Sequence, residues 1–206
     1  MSRVIAYVDG FNLYFGLRSS GFRRYYWLDL NTLCTTFLLP GQTLEHVHYF
    51  TARIRSNGTN GPDRARQSNY LDALATLPRF TSHERHFLSK PAKCHSCKNT
   101  WTTYEEKQSD VNLAVQLLLD AMDNNFDTAI VVSGDSDLST PVSRVLQRFP
   151  GKQVVVAFPP KRNSAQLAKI ASGSFKIGES SVRKSQLPDP VLTASGVALA
   201  RPPEWK

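Results

Sequence analysis

A short apolar run that ends in two closely spaced aspartates constrains the fold of this chain more than any other feature. Residues 129–132 (AIVV) are rich in β-branched side chains, and the sequence SGDSD follows directly at 133–137. An uninterrupted apolar run of this length is typical of a parallel strand that is buried on both faces. Open parallel sheets bind their ligands outside the carboxyl ends of the strands. The run therefore predicts an α/β fold with Asp135 and Asp137 at the ligand-binding edge of the sheet.

The start of the chain repeats this design. Residues 4–8 (VIAYV) form a second apolar run, which stops at Asp9. Clustered carboxylates are costly unless a cation neutralises them, so two buried strands that each stop at an aspartate favour a shared divalent-metal site. The alternative is structural. Asp9 could form a turn before Gly10, and Asp135 or Asp137 could cap the next helix.

Composition limits the class of protein. The chain has 206 residues, enough for one α/β domain with a sizeable core. Its 25 basic and 17 acidic residues give a formal net charge of +8, which favours a polyanionic partner such as nucleic acid. Three cysteines, an odd number, argue against a disulfide framework and favour the reducing cytoplasm. We find no signal-peptide pattern and no apolar run of the roughly 18 residues that a membrane span needs, so no membrane association is expected.

The order of apolar runs and helical patterns predicts a Rossmann-like three-layer sandwich around a mostly parallel sheet, occupying residues 1–177. The main predicted strands lie at 3–8, 46–54, 128–133 and 153–158. The main predicted helices lie at 63–77, 109–122, 138–148 and 163–171. From residue 178 the sequence is rich in serine, proline and scattered charge, so residues 178–206 are predicted to be a disordered, flexible tail.

Residues 83–106 interrupt the alternation of strands and helices and contain a pair of cysteines. Cys94 and Cys97 have the spacing of half a zinc knuckle, and the nearby histidines are His83, His86 and His95. Two cysteines with two of these histidines would make a tetrahedral structural Zn²⁺ site. A metal-free hairpin and a redox-active cysteine pair remain alternatives.

Three sequence blocks together resemble the NYN domain, a branch of the PIN-like nuclease superfamily. They are YVDGFNLY at 7–14, EKQSDVNLA at 106–114 and VSGDSDL at 132–138, and the resemblance extends over residues 3–177. The middle block has Gln-Ser before Asp110 where many relatives have Gly-Val, which alters no carboxylate. Paired cysteines occur in only some relatives, so the resemblance assigns them no role.

The resemblance implies a metal-dependent endoribonuclease whose acidic cluster binds Mg²⁺ or Mn²⁺ and hydrolyses RNA. Ser133 would hold a carboxylate or a water on the metal. By motif match the acidic and polar set is Asp9, Asn12, Asp110, Asp135 and Asp137. Taken alone, Asp110 in the first turn of a helix would be favoured by the helix dipole without any metal. A non-catalytic RNA-binding or regulatory module with the same fold is the alternative function.

Basic residues near aromatic side chains are candidates for binding RNA. Arg23 and Arg24 precede three aromatic residues at 25–27, a composition suited to phosphate contact and base stacking. The alternative is a loop whose aromatic rings pack on the core.

Three further basic residues are candidates for phosphate contact. Arg53 and Arg55 would lie on the loop side of a strand–helix unit and could line a nucleic-acid groove or form a solvated face. Lys107 could contact a phosphate or form a surface ion pair with Glu106 or Asp110.

Overall fold

The computed structural model describes residues 1–54, 60–86, 88–93, 100–105 and 109–206; for 85–86, 88–93 and 100–105 it describes the backbone alone. The strands are β1 (Ser2–Asp9), β2 (Gln42–Arg53), β3 (Phe80–His86), β4 (Leu88–Lys93), β5 (Thr100–Glu105), β6 (Thr128–Val132), β7 (Gln153–Phe158), β8 (Gly173–Lys176), β9 (Val191–Leu192) and β10 (Ala198–Leu199). The helices are α1 (Gly10–Ser19), α2 (Leu30–Thr35), α3 (Gly61–Leu74), α4 (Ser109–Met122), α5 (Ser139–Arg148), α6 (Ala165–Ile170) and α7 (Glu179–Lys184).

Within the described part of the chain, six strands form one sheet in the order β3-β2-β1-β6-β7-β8, and every neighbouring pair is parallel. Strands β1 and β6 lie at its centre, as the two buried apolar runs predict. The predicted α/β fold with a mostly parallel sheet is therefore confirmed. The short strand β8 forms the edge of the sheet beside β7.

Helices cover both faces of the sheet and create two separate cores. Alternate residues of β1 contribute to each, because successive side chains of a strand point to opposite faces. Val4, Ala6 and Val8 pack in the core that includes side chains of α1, α2, α3 and α7. Ile5 and Tyr7 pack in the core under α4, α5 and α6. Together the two cores give the predicted three-layer sandwich.

The C-terminal segment 178–206 is ordered and packed, so the prediction of a flexible tail is wrong. It contains α7, the antiparallel pair β9–β10 and a final turn of 3₁₀ helix. Trp27 Nε1 donates a hydrogen bond to the carbonyl oxygen of Pro188 (2.9 Å), which fastens this segment to the domain. The hydrophobic side chains of the segment that are buried in the first core are Val182, Leu187, Val191 and Trp205. Burial of these side chains supplies the free energy that a disordered tail lacks.

The cysteine-containing insertion is described only in part. Its backbone forms the antiparallel pair β4–β5 beyond the edge strand β3. Cys94 and Cys97 lie outside the described residues, and so does the side chain of His86. The zinc hypothesis therefore stays a prediction. Cys34, by contrast, is a fully buried free thiol in the first core.

None of the described helices is both long and apolar enough to cross a membrane.

Candidate active site at the carboxyl edge of the sheet

The central strands β1 and β6 bring the two aspartate motifs to the same edge of the sheet. Their parallel register pairs Val8 with Val132, so the chain leaves both strands at the same level. Asp9 is the last residue of β1, and Ser133 is the first residue after β6. Both predicted motifs therefore begin side by side at the carboxyl edge.

Asp9 is buried, with 4% of its surface exposed, and its two carboxylate oxygens have different partners. Oδ1 accepts a hydrogen bond from the backbone N–H of Asn12 (2.9 Å), which caps α1. Oδ2 accepts one from the hydroxyl of Ser133 (2.8 Å). Burial raises the pKa of Asp9 and the charge of Asp135 adds to the rise, while the hydrogen bonds from Asn12 and Ser133 oppose it. Asp9 is thus a fixed carboxylate whose charge is incompletely compensated.

Polar contacts join the loop after β6 to the start of α1. The buried hydroxyl of Ser133 accepts a hydrogen bond from the backbone N–H of Asp135 (3.0 Å). The side-chain oxygen of Asn12 accepts one from the backbone N–H of Gly134 (2.9 Å). Asp135 Oδ1 in turn accepts from the backbone N–H of Asp137 (3.0 Å) at the start of a 3₁₀ turn. Asp9, for which a turn was considered, therefore caps α1, and Asp135, for which a helix cap was considered, caps the 3₁₀ turn before α5. Both contacts hold these carboxylates in place.

Asp110 joins the same acidic group from the first turn of α4. Burial raises the pKa of Asp110 to about 6, and the negative charges of Asp9, Asp135 and Asp137 each add to this rise. Charges influence a pKa in this way only when they lie close together. The structure therefore brings together all four aspartates of the predicted acidic set, with Asp9 buried, Asp110 and Asp135 partly buried and Asp137 exposed.

The donor set suits a hard divalent cation such as Mg²⁺ or Mn²⁺, because it consists of carboxylate oxygens whose mutual repulsion a cation would relieve. No Lys or Arg in the described part of the chain forms an ion pair with any of the four. The described residues contain no group of three His, Cys, Asp or Glu side chains placed to hold a metal ion by themselves. A cation at this edge would accordingly be held by one or two carboxylates and by water, as Mg²⁺ usually is.

A close approach between two loops places a further basic residue beside the acidic group. A Cβ atom on Gly134 would lie 3.0 Å from both Arg162 Cβ and the backbone nitrogen of Asn163, so the glycine permits this contact. Arg162 therefore lies next to the loop that carries Asp135, and its guanidinium is 6.0 Å from the centre of the Phe15 ring. Sequence reasoning missed Arg162. The position of PPKR directly after the apolar run of β7 was the available signal.

The arginines proposed to bind RNA have different surroundings. Arg53 forms ion pairs with Glu84 and with Asp72 (3.8 Å), contacts that fasten β2 to β3 and α3. Arg24 pairs with Glu179 (3.1 Å). These contacts favour structural roles for both arginines. Arg23 instead lines a pocket next to the acidic group.

Among the other candidates, Tyr25 and Trp27 are buried, which agrees with the alternative that these aromatic rings pack on the core. Arg55 and Lys107 lie outside the described residues. The ring of His83 faces a neighbouring histidine on β2, with His83 Nε2 and His48 Nδ1 2.9 Å apart, and stacks on Phe50.

A second buried carboxylate, Asp120 on α4, belongs to a separate polar network. Tyr7 Oη donates a hydrogen bond to Asp120 Oδ2 (2.8 Å), and His48 Nε2 lies 3.4 Å from the same oxygen. Gln116 and Asn125 donate two more hydrogen bonds to this carboxylate. Burial alone would raise the pKa of Asp120, but these four partners outweigh it and hold the pKa well below the usual value. Because its hydrogen-bonding capacity is filled, we assign Asp120 a structural role.

A parallel α/β sheet with acidic side chains gathered at its carboxyl edge defines a Rossmann-like protein with a nuclease-like fold. The chain belongs to the NYN domain family, because the sequence profile of the NYN domain matches residues 3–177. The resemblance carried by the three sequence blocks is confirmed.

Two individual relatives add to this. The chain is 28% identical to the 6-hydroxy-3-succinoylpyridine 3-monooxygenase HspA of Pseudomonas putida, over 76% of this chain and 59% of that protein. The chain thus matches little more than half the length of this relative. Its fold is similar to the crystal structure of VPA0982, a protein of unknown function from Vibrio parahaemolyticus, with a TM-score of 0.58 and 22% identity over 90% of this chain and 96% of that one.

Proposed function

We propose that the protein is a metal-dependent ribonuclease that hydrolyses phosphodiester bonds of RNA at the carboxyl edge of its sheet, by endonucleolytic cleavage. The observation that carries the proposal is the convergence of aspartates from three separate parts of the chain at one edge of the sheet: β1 and β6 end side by side at Asp9 and Ser133, the Ser133 hydroxyl joins Asp9 to the backbone of Asp135, and the charges of Asp9, Asp135 and Asp137 reach Asp110 on α4. A structural role would not account for carboxylates gathered where they repel one another, whereas a bound cation would neutralise them.

The chain's own residues have distinct tasks in this proposal. Asp9 and Asp135, which share the Ser133 hydroxyl as a hydrogen-bonding partner, are the expected principal cation ligands. Asp110 and Asp137 add negative charge from α4 and from the 3₁₀ turn. A divalent cation held there supplies positive charge against the phosphate and acidifies water. Asn12, held by its contact with the Gly134 N–H, keeps its amide group available as a donor to a phosphate oxygen or a water.

The name of the Pseudomonas putida relative suggests hydroxylation of a pyridine ring as a competing activity. Inserting one oxygen atom from O₂ into a ring and releasing the other as water consumes two electrons, so that reaction needs a reductant such as a reduced nicotinamide. The acidic group described here is suited to binding a cation, and this favours hydrolysis. The relative also extends well beyond the aligned part.

The decisive experiment is an RNA cleavage assay with matched variants. Single-stranded, double-stranded and circular RNAs are incubated with the protein plus Mg²⁺ or Mn²⁺, beside EDTA and Asp135→Asn controls. Asp123→Asn is the matched control, because Asp123 is exposed at the end of α4 and lies outside the acidic group. Cleavage of the circular RNA is expected for the wild type and Asp123→Asn, with loss of at least about a hundredfold for Asp135→Asn.

Other outcomes would contradict the proposal. Cleavage that persists in EDTA or in Asp135→Asn would indicate a contaminant or a different site. RNA binding without products, unchanged by Mg²⁺, would favour the non-catalytic RNA-binding module. Oxygen uptake with 6-hydroxy-3-succinoylpyridine and a reduced nicotinamide, in the absence of RNA cleavage, would favour the activity named for the relative.

A further inference from the structure

A pocket of about 610 Å³ lies between α1 and α3, beside the acidic group. It begins at Gly10 and Phe11, the two residues that directly follow Asp9, and it extends along the carboxyl ends of β1 and β2. Its volume is in the range of ligand-binding pockets. A ligand in this pocket would therefore lie next to the proposed cation site.

Aromatic rings in contact with one another form much of the pocket wall. The ring centres of Tyr14 and Tyr26 are 5.2 Å apart, those of Tyr26 and Trp205 are 5.6 Å apart, and those of Trp205 and Tyr70 are 6.0 Å apart. All four residues line the pocket. Tyr14 is 41% exposed, so its ring is accessible to a ligand. Flat aromatic surfaces of this kind bind nucleobases by stacking.

Positive charge lines the same pocket. Arg18 and Arg23 both lie near Tyr26: burial and the neighbouring Tyr14 raise the pKa of the Tyr26 hydroxyl, and the two arginines oppose that rise. Arg66 also lines the pocket, but it is paired with Asp63 and with Glu204. Among the described residues of the pocket, the positive charge that remains open to a ligand is that of the exposed Arg18 and Arg23, with the Glu204 carboxylate close enough to Arg23 to interact with it. Guanidinium groups bind phosphate well.

The C-terminal segment completes this pocket. Trp205 is 8% exposed, contacts Tyr26 and Tyr70 and forms part of the pocket wall. The Arg66–Glu204 ion pair (2.7 Å) ties the segment to α3. Without residues 178–206 the pocket would lack this part of its wall.

We propose that the pocket holds an unpaired nucleobase of single-stranded RNA, stacked against Tyr14 and Tyr26, with the adjoining phosphates on Arg18 and Arg23. This inference rests on the proposed function, and it deepens it by naming the strand form of the substrate. The adjacent phosphodiester would then lie at the acidic group, because Gly10 and Phe11 connect the two sites. A base within a duplex is already stacked and paired, so duplex RNA fits this pocket poorly.

The test is RNA binding by fluorescence anisotropy, with all proteins carrying Asp135→Asn so that the RNA stays intact. The probe is a fluorescein-labelled single-stranded RNA of about ten nucleotides, compared with the same strand annealed to its complement. Tyr14→Ala and Arg18→Ala remove a ring and a charge at exposed positions. Tyr14→Phe keeps the ring, and Arg144→Ala removes the same charge from the opposite face of the sheet.

The expected result is a Kd for the single strand raised about tenfold by Tyr14→Ala and by Arg18→Ala, with less than about a twofold change for Tyr14→Phe and Arg144→Ala. The duplex should bind more weakly and respond little to Tyr14→Ala. A single strand containing 4-thiouridine should crosslink under ultraviolet light to peptides that contain Tyr14, Tyr26 or Trp205.

The inference is overturned if Tyr14→Ala changes the Kd no more than Arg144→Ala does, if crosslinks fall only on α5 or α6, or if duplex binds as tightly as single strand. Wild-type cleavage, measured separately, distinguishes this failure from failure of the proposed function. If the RNA is cleaved but its binding does not depend on Tyr14, the nuclease proposal stands and the proposal for the pocket is rejected. If binding depends on Tyr14 but the RNA is not cleaved, the proposal for the pocket stands and the nuclease proposal is rejected.

Discussion

The hydroxyl of Ser133 donates a 2.8 Å hydrogen bond to Oδ2 of Asp9, joining residues that are 124 positions apart in the chain. The same hydroxyl accepts the backbone N–H of Asp135, so one buried side chain orients the ends of both central strands. Carboxylates from two strands can act on one cation only if both point to the same place. Ser133 is therefore the residue on which the arrangement of the acidic group depends.

Replacing Ser133 by alanine should lower both stability and activity. The substitution leaves Asp9 Oδ2 and the Asp135 N–H without their buried partner, which should cost roughly 1–3 kcal/mol of unfolding free energy. Metal-dependent RNA cleavage should fall at the same time, because Asp9 and Asp135 lose their common anchor. Urea unfolding and the cleavage assay measure the two effects. Ser136→Ala, at an exposed position in the next turn, is the matched control, and equal behaviour of the two variants would contradict this role.

Burial, together with repulsion from the other aspartates, should make the ionised Asp110 destabilising at neutral pH in metal-free protein. Its pKa is raised to about 6, chiefly by burial and then by the other three aspartates. Between pH 4 and 6 the folded state thus binds more protons than the unfolded state, so stability falls as the pH rises through this range. Asp110→Asn should raise the unfolding free energy at pH 7 by roughly 1–2 kcal/mol, after discounting for partial exposure. The gain should shrink towards zero near pH 4.

Urea unfolding in EDTA across this pH range measures the effect, with Asp123→Asn as the control for removing one negative charge. Added Mn²⁺ should stabilise the wild type more than Asp110→Asn, because a ligand that binds only the folded state shifts unfolding by mass action. If Asp110→Asn is no more stable than the wild type at pH 7, the negative charge of Asp110 does not destabilise the folded protein.

The pH dependence of Asp120 should have the opposite sign. Burial opposes its ionisation, but hydrogen bonds led by that from His48 prevail and lower its pKa. Its carboxylate therefore contributes stability above the ordinary pKa near 4, and this contribution is lost as the pH falls below that value. Asp120→Asn should cost roughly 2–4 kcal/mol at pH 7, because Tyr7 and His48 lose a charged buried acceptor. Thermal melts at pH 7 and at about pH 2 test this, because the loss should be much smaller at the lower pH, and an equal loss at both would refute the assignment.

Local sequence patterns were sufficient for the fold and for three of the four aspartates, since strands buried on both faces appear as continuous apolar runs and Asp9, Asp135 and Asp137 follow them directly. Asp110, in the first turn of a helix, was assigned only through the resemblance to the NYN domain. What could not be predicted depends on contacts between distant residues. Arg53 was taken as a candidate RNA ligand because local sequence does not show its ion pair with Glu84, which lies 31 positions away. Asp120 went unnoticed, although a single carboxylate on the buried side of the apolar helix pattern is a usable signal. Trp205 lies in a proline-rich stretch without periodicity, and only its contacts with Trp27 and Tyr70 show that it is buried.

The final prediction concerns the packed C-terminal segment: substitutions in an ordered segment should change stability, whereas substitutions in a disordered tail should not. Trp205→Ala should lower the unfolding free energy by about 2–4 kcal/mol, as large-to-small substitutions in a core do. Leu192→Ala, at a 67% exposed position of the same segment, should change it by less than about 0.5 kcal/mol. Limited proteolysis should cleave Trp205→Ala within 178–206 faster than the wild type, because the segment loses its anchor against Tyr26 and Tyr70. If both substitutions are neutral, the segment is not held on the domain, and the wall it gives to the pocket is lost with it.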